Sequence, residues 1–337
     1  MLTVALQALE LGALRSVVQI DVEPTRCNRY ADPDPQRNRM MHLSSRSNHP
    51  IKAEDGLKVR NVADADAPDV AAYAKPGGVP LLRPRIEGPT DAELLLFIQG
   101  WPDDHTVWDG LVAGLRDRYR CVRVDLPNYP DAEHRRWGYS HEAIVEGLAH
   151  CIRSVCGGRP VTLIGHDWGA YWTYALHHRH PELVARIVGL DVAPDLQPTI
   201  REALFILAYQ IWLLSAFVLG GRVGAWMTRR MAAIAGSPRQ GEALGSSVNY
   251  PYLYYWRDLV TGRASRRLAG YSPEVPVLYV YCEGKPARFH SDAWLELIRS
   301  RAGNRVVAFE GSDHWVTRDP RLNGLVRDWL DGARAQA

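Results

Sequence analysis

The 337-residue chain predicts an α/β fold: a mostly parallel sheet flanked by helices on both faces, with a helical cap inserted late in the chain. Two observations predict the sheet. From about residue 91, short apolar runs alternate with helix-period stretches. The runs are also continuously apolar, as strands covered on both faces are. A third observation predicts the cap. Between Pro194 and Pro273 the alternation stops and the chain reads as helical and aromatic. That insertion, about 75 residues, is too long for a loop.

Each element follows from its own residues. ELLLFIQG (93–100) is a buried strand ending at glycine, and TVWDGLVAGLRDRY (106–119) has helical spacing. CVRVDL (121–126) is a strand. SHEAIVEGLAHCIRSV (140–155) opens on Ser140, a good N-cap, and holds its apolar residues on one face. VTLIGH (161–166) is a strand and GAYWTYALHHR (169–179) a helix. ARIVGLDV (185–192) and VPVLYVYC (275–282) are strands, and SDAWLELIRSR (291–301) is a helix. NRVVAFEG (304–311) is a strand and PRLNGLVRDWLDG (320–332) a helix. One or two further strands are expected between residues 57 and 88. The domain organisation that results has a core of residues 51–194 and 273–337 and a helical cap of 195–272. The cap leaves the carboxyl edge of the sheet, where ligands of open parallel sheets bind, so it is placed to act as a lid.

Residues 1–50 stand apart. Residues 1–23 lack the plan of a secretory signal, and 24–50 are rich in Pro, Arg, Asn and Ser and poor in aliphatics. The expectation is a disordered arm, a weak organelle-targeting segment, or a mis-annotated extension with the biological start at Met40 or Met41. The net charge of +2 gives no electrostatic footprint for nucleic acid. Of the five cysteines, Cys27, Cys121, Cys151, Cys156 and Cys282, no pair has metal-ligand spacing. Their odd number fits a reducing compartment, so a cytoplasmic location is expected. No metal and no cofactor is implied, and the oligomeric state is not read from these residues.

The chemistry centres on GHDWG (165–169). A strand before it and a helix after it make the context of a nucleophile elbow, in which two glycines permit close strand-to-helix packing and push the central side chain out above the sheet. That side chain is Asp167. The amide groups and dipole at the start of the following helix favour an anion there. A carboxylate attacking an ester gives a reactive anhydride, which is unproductive. At a saturated carbon that bears a leaving group, such as an epoxide oxygen or a halide, it gives an alkyl ester that water must then cleave. The second step needs a base and an oxyanion hole. His314, in GSDHWV just past the last strand, is the base candidate. His177, His178 and His180 look like a metal cluster but end a helix, where cationic side chains are favoured. His166 lies inside the elbow and is read as structural. The acid that orients the base is assigned to Asp191, at the end of the strand after the elbow helix. The usual late-strand place offers Lys285, which cannot accept a hydrogen bond from imidazole, or Glu283 as the alternative. The backbone N–H groups of Trp101 and Trp168 are the oxyanion-hole candidates.

On these residues the chain resembles the α/β-hydrolase superfamily over about residues 91–332, and within it the Asp-nucleophile branch of epoxide hydrolases, haloalkane dehalogenases and fluoroacetate dehalogenases. GHDWGA matches the elbow of that branch. QGWP matches its His-Gly-x-Pro oxyanion turn with Gln99 in place of His. LDVAP carries Asp191 at the acid position, and SDHWV matches the base loop. Gln99 and Lys285 depart from the common pattern. Lys285 lowers the basicity of His314 if it points inward.

The resemblance also separates leaving groups. Fluoroacetate-type enzymes have an arginine after the nucleophile, where this chain has Trp168. Dehalogenases hold halide with the indole there and with an Asn or a second Trp in the oxyanion turn, and Trp168 and Trp101 occupy those places. Epoxide hydrolases use cap tyrosines as acids, and the candidates are Tyr209, Tyr250, Tyr252, Tyr254 and Tyr255, with Tyr271 further on. The expectation is an epoxide hydrolase whose partner is a small apolar substrate molecule, an apolar epoxide, with bulky apolar epoxides preferred. The alternatives are a haloalkane dehalogenase and a degenerate binding protein. ALFILAYQIWLLSAFVLGG (203–221) runs 19 residues without a charge, close to membrane-span length. It is read as a buried cap helix lining an apolar pocket, with surface contact to a membrane as the alternative.

Overall fold

The computed structural model describes residues 78–334 except 130, 131, 240, 242, 264–267 and 269. The chain divides into two units, Met1–Ala63 and Asp64–Ala337, and the described residues belong to the second. The expectations for residues 1–50, for Met40 and Met41, and for a strand between 57 and 77 lie outside the described residues.

Seven described strands form one sheet: β1 (Pro84–Glu87), β2 (Leu94–Ile98), β3 (Arg120–Val124), β4 (Val161–His166), β5 (Val184–Leu190), β6 (Val277–Cys282) and β7 (Arg305–Phe309). Their order is β1-β3-β2-β4-β5-β6-β7. β1 pairs antiparallel with β3, and every other pairing is parallel. Side chains of a strand alternate between faces, and β2 shows the result. Leu94, Leu96 and Ile98 enter one buried cluster, and Leu95 and Phe97 enter the other. The first cluster is covered by α2 (His141–Cys156), α3 (Trp168–Arg179) and α7 (Asp292–Arg299). The second is covered by α1 (Asp109–Leu115) and α8 (Arg321–Arg334). The central strands β2 and β4 are buried throughout, covered on both faces, which is why they read as unbroken apolar runs.

Local chemistry sets the element ends. The Ser140 hydroxyl accepts from the Ala143 N–H at 3.2 Å, and α2 stops at Gly157, whose φ of 65° suits glycine. The helix expected over 106–119 is shorter than its pattern: a 3₁₀ turn at His105–Trp108 leads into α1. The four described cysteines are free, buried thiols. Burial pushes Cys121, Cys151 and Cys282 up to about 12, so they act as small apolar residues.

Between β5 and β6 come α4 (Ile200–Leu219), α5 (Gly221–Ile234) and α6 (Tyr250–Val260). The Thr199 and Glu202 side chains form a reciprocal capping box at the start of α4. The expectation of a buried α4 is corrected here. Gln210, Leu213, Ala216 and Phe217 are its buried residues, whereas Ile200, Leu204, Phe205, Ile211, Val218 and Leu219 are exposed. The polar Gln210 is inside and much of the apolar surface is outside, because α4 packs along one side only, against α5, α6 and the 3₁₀ turn at Ser246–Asn249.

Candidate active site

The elbow is built from β4, one strained residue and α3. Asp167 has φ 56° and ψ −124°, and no side-chain cap precedes α3. Such a conformation in a non-glycine residue costs of order 1–3 kcal/mol and persists where surrounding structure imposes it. Here the imposing contacts are close approaches of backbone. A Cβ on Gly165 would lie 2.5 Å from the Gly169 carbonyl oxygen, one on Gly169 would overlap the Ile98 carbonyl, and one on Gly100 would overlap the Asp167 side chain. Glycine at these three places lets α3, β2 and the turn after β2 converge on Asp167.

Three side chains then line up. His314 Nε2 lies 3.3 Å from Asp167 Oδ2, and His314 Nδ1 lies 2.6 Å from Asp191 Oδ2. Asp191 also sits in a left-handed conformation, φ 64°, at the end of β5. Its second oxygen accepts the Cys282 N–H at 2.9 Å and the Lys285 ammonium. Lys285 Nζ also reaches the Asp191 carbonyl oxygen at 3.3 Å. The inward orientation of Lys285 is thereby settled, with Asp191 as its partner. Glu283 is exposed, and the late-strand place holds a cation that supports the Asp191 carboxylate.

The charges explain one another. Burial alone would raise the Asp191 carboxyl. The Lys285 charge and the His314 hydrogen bond outweigh it and hold the group below the usual carboxylate range. Burial alone would lower His314, but hydrogen bonds and charge from Asp167 and Asp191 push it up to about 9. The imidazolium is therefore clamped between two carboxylates. His166 is pushed down to about 4, by burial first and the His314 charge second, so it is neutral. Its Nε2 lies 2.8 Å from the His314 carbonyl oxygen. Only a protonated Nε2 can donate there, which fixes the tautomer. His166 thus tethers the base loop.

The oxyanion turn closes without the usual histidine. The Trp101 N–H donates to Asp167 Oδ1 at 2.8 Å, and the Trp101–Pro102 bond that follows is cis. Gln99 is fully buried, and its amide atoms have no hydrogen-bond partner among the described residues. The Trp168 N–H is the first of α3 and one of the amides a helix leaves without an intrahelical acceptor.

The aromatic cap residues divide by helix face. On α6, Tyr252 and Tyr255 both place their rings on Trp168, with centroids 5.5 and 5.9 Å away. Tyr252 also stands edge-on to Trp101 at 6.1 Å and to Tyr209 of α4 at 6.2 Å. Burial raises the Tyr209 and Tyr252 hydroxyls far above their ordinary value, and the nearby Asp167 charge adds to it. Both hydroxyls therefore stay protonated, and both feel the Asp167 charge. Tyr250 and Tyr254, one helical turn apart, lie on another face of α6. Tyr250 packs against Gly138, and Tyr254 lies under Arg257, 4.5 Å from its ring centre. Tyr271 is also structural, with its hydroxyl 3.0 Å from His177 Nδ1. That contact, and His180 against Glu146 at 3.2 Å, disperse the HHRH run.

Two residues escaped the sequence reading. Asn249 accepts the Trp101 indole N–H at 2.7 Å and donates to Thr228 at 2.8 Å, so it pins the oxyanion turn to the cap. Asp103 is buried with neither oxygen hydrogen-bonded among the described residues. Burial and the Asp167 charge push it up to about 8. Asn249 has no local signal, since its partner is 148 residues away. Asp103 had one, its place two residues after the oxyanion amide.

A residue on a strand-to-helix elbow, an imidazole against it and a carboxylate behind the imidazole, on a sheet of this order, are the architecture of the α/β-hydrolase fold. The chain belongs to the alpha/beta hydrolase family, whose family model matches residues 95–322. It is similar to the cis-3-alkyl-4-alkyloxetan-2-one decarboxylase of Xanthomonas campestris pv. campestris, 32% identical over 116 residues, which are 32% of this chain and 38% of that protein. It is also similar to epoxide hydrolase 3 of Xenopus tropicalis, 24% identical over 270 residues, 70% of this chain and 71% of that one. The chain thus spans little more than a third of the first relative and most of the second. Among solved structures, a haloalkane dehalogenase DbeA loop variant from Bradyrhizobium elkanii matches with a TM-score of 0.55 at 19% identity, over 76% of this chain and 94% of that one. That last likeness is one of fold.

Proposed function

We propose that the protein is an epoxide hydrolase that works through an alkyl-enzyme ester on Asp167. The observation that carries this reading is the placement of two protonated cap tyrosines: the Tyr252 ring lies 5.5 Å from that of Trp168, the residue next to Asp167, and the Tyr209 ring 6.2 Å from that of Tyr252. Asp167 Oδ2 attacks a ring carbon, the carbon–oxygen bond of the epoxide breaks, and the departing oxygen takes a tyrosine proton. Alkylation removes the negative charge of Asp167, so one of the two carboxylates that raise His314 is gone. His314 then gives up its proton more readily, which restores the tyrosine by way of solvent, and the neutral Nε2 becomes the base for water. Water attacks the ester carbon, and negative charge develops on the oxygen held by the Trp101 N–H and, in this reading, the Trp168 N–H. Collapse releases a diol and regenerates Asp167. The Trp101 indole, a candidate second halide donor, is taken up by Asn249, which favours epoxide over halide. Residues 195–272 act in this reading as the cap that supplies the acids and excludes water.

His314→Gln tests the chemistry directly, because the ester forms but is not cleaved. The variant is incubated with mixed epoxides and haloalkanes, and the peptide containing Asp167 is weighed. An epoxide adds its whole mass and a haloalkane only its alkyl group. The expected result is a whole-epoxide increment from apolar epoxides. An alkyl-only increment makes the protein a haloalkane dehalogenase. Absence of any adduct, with the site still able to bind ligands, makes it a binding protein.

A further inference from the structure

The cap carries an apolar and basic face that the proposed reaction does not use. On α4, Leu204, Ile211 and Val218 recur at spacings of seven, so they lie along one stripe of the helix. Leu204 is 61% exposed and Leu219 62%. Gly220 and Gly221, both with positive φ, turn the chain into α5. There Trp226 and Ile234 are 55% and 68% exposed. The two helices meet through Trp212 and Trp226, whose ring centroids are 6.2 Å apart, which brings exposed apolar residues of both to the same part of the cap. An apolar face of this kind is unusual on a monomer and marks a place of contact.

Charge says what the contact is. Residues 200–234 contain four arginines, Arg201, Arg222, Arg229 and Arg230, and one acid, Glu202. Glu202 is occupied by its own helix cap and the Arg288 N–H. Arg222 and Arg230 are exposed on α5 beside Trp226. Exposed aliphatics, an exposed indole and arginines with no free acid among them match the boundary of an anionic lipid surface. The same helix reaches the site. Phe205, on the exposed side of α4, is 5.7 Å from Tyr209 between ring centroids, Tyr209 meets Tyr252, and Tyr252 meets Trp168 beside Asp167.

We infer that α4 and α5 seat the protein on an anionic membrane surface, with the Phe205–Tyr209–Tyr252 row of rings leading from that surface to Asp167. The direction of substrate entry rests on the proposed function. The binding itself does not, and it is measured without turnover.

The full chain is mixed with vesicles of phosphatidylcholine, or of phosphatidylcholine and phosphatidylglycerol, and floated on a density gradient. Flotation with the mixed vesicles is expected. Leu204→Glu combined with Ile211→Glu should abolish it. Arg222→Gln combined with Arg230→Gln should weaken it by about fivefold per arginine. All of these side chains are exposed, so the variants should keep wild-type melting temperatures and, carried in the His314→Gln background, the Asp167 alkylation by a water-soluble epoxide that His314→Gln alone shows. Failure of the wild-type chain to float overturns the proposal, as does flotation that ignores the substitutions. A stable dimer that Leu204→Glu with Ile211→Glu dissociates also overturns it, because the face would then belong to a second copy. Absence of Asp167 alkylation in His314→Gln itself, with flotation of the chain intact, would sink the epoxide reading and leave this one standing.

Discussion

Lys285 is a buried cation placed against Asp191, the carboxylate that holds His314. Asp191 accepts from Lys285, from the Cys282 N–H and from His314. The positive charge of Lys285 shares the field of Asp191 and so restrains the rise of His314. Lys285→Met removes that restraint, and His314 then holds its proton to higher pH. The pH profile of the hydrolytic step should move upward by about one unit, with a tenfold loss near neutral pH and recovery at alkaline pH. A uniform loss at every pH would reduce Lys285 to a packing residue. Lys285 was conspicuous in the sequence as a departure. Its partner was not legible there, because Asp191 is 94 positions away and no periodicity links them.

At the scale of elements, the contact between α3 and β2 decides the geometry of the elbow. A methyl group on Gly169 would overlap the Ile98 carbonyl, and a backbone atom cannot swing aside as a flexible side chain can. Gly169→Ala should destabilise the fold by about 1–3 kcal/mol, read as a lower urea midpoint with unchanged slope, and should depress turnover further by shifting Asp167 away from the Trp101 N–H. Unchanged stability would mean that α3 slides freely. Tyr252 and Tyr209 belong to the same scale, since α6 and α4 bring them together. Tyr252→Phe and Tyr209→Phe should each slow alkylation by an epoxide while leaving cleavage of a preformed ester unaffected, as single-turnover kinetics can show. Element identity was largely legible because strand and helix periods are local. The spacing between residues 250 and 255 was legible too, but which helical face meets the site was not.

Across the whole molecule, His314, Asp103 and His166 each make the stability of the fold depend on pH. His314, at about 9 when folded against an ordinary 6.5, binds its proton more tightly in the folded state. Its stabilisation is complete below pH 6.5 and is lost as pH rises through 9. Asp103, at about 8 against 3.8, acts in the same direction: its neutral form suits the fold, and stability falls as pH rises toward 8. His166, at about 4 against 6.5, acts oppositely, and its contribution is lost as pH falls through 4. Melting temperature should therefore decline from pH 7 to 9, and Asp103→Asn, a neutral isostere, should flatten that decline. An equally steep decline in the variant would show that Asp103 does not stay protonated in the fold.

The sequence by itself determined the order of strands and helices, the elbow and the late histidine, because each is written in a local pattern of apolar period, glycine and strand end. It also held Asp191 and Lys285 in view, although not their pairing. Only the tertiary structure decided that Tyr209 and Tyr252 meet beside Asp167, that Asn249 pins Trp101, that Asp103 is buried without a partner, and that α4 turns its apolar side outward. Each of these joins elements distant in the chain, or depends on which of two faces an insertion presents. Neighbouring residues carry no record of such choices, because packing against the rest of the fold makes them.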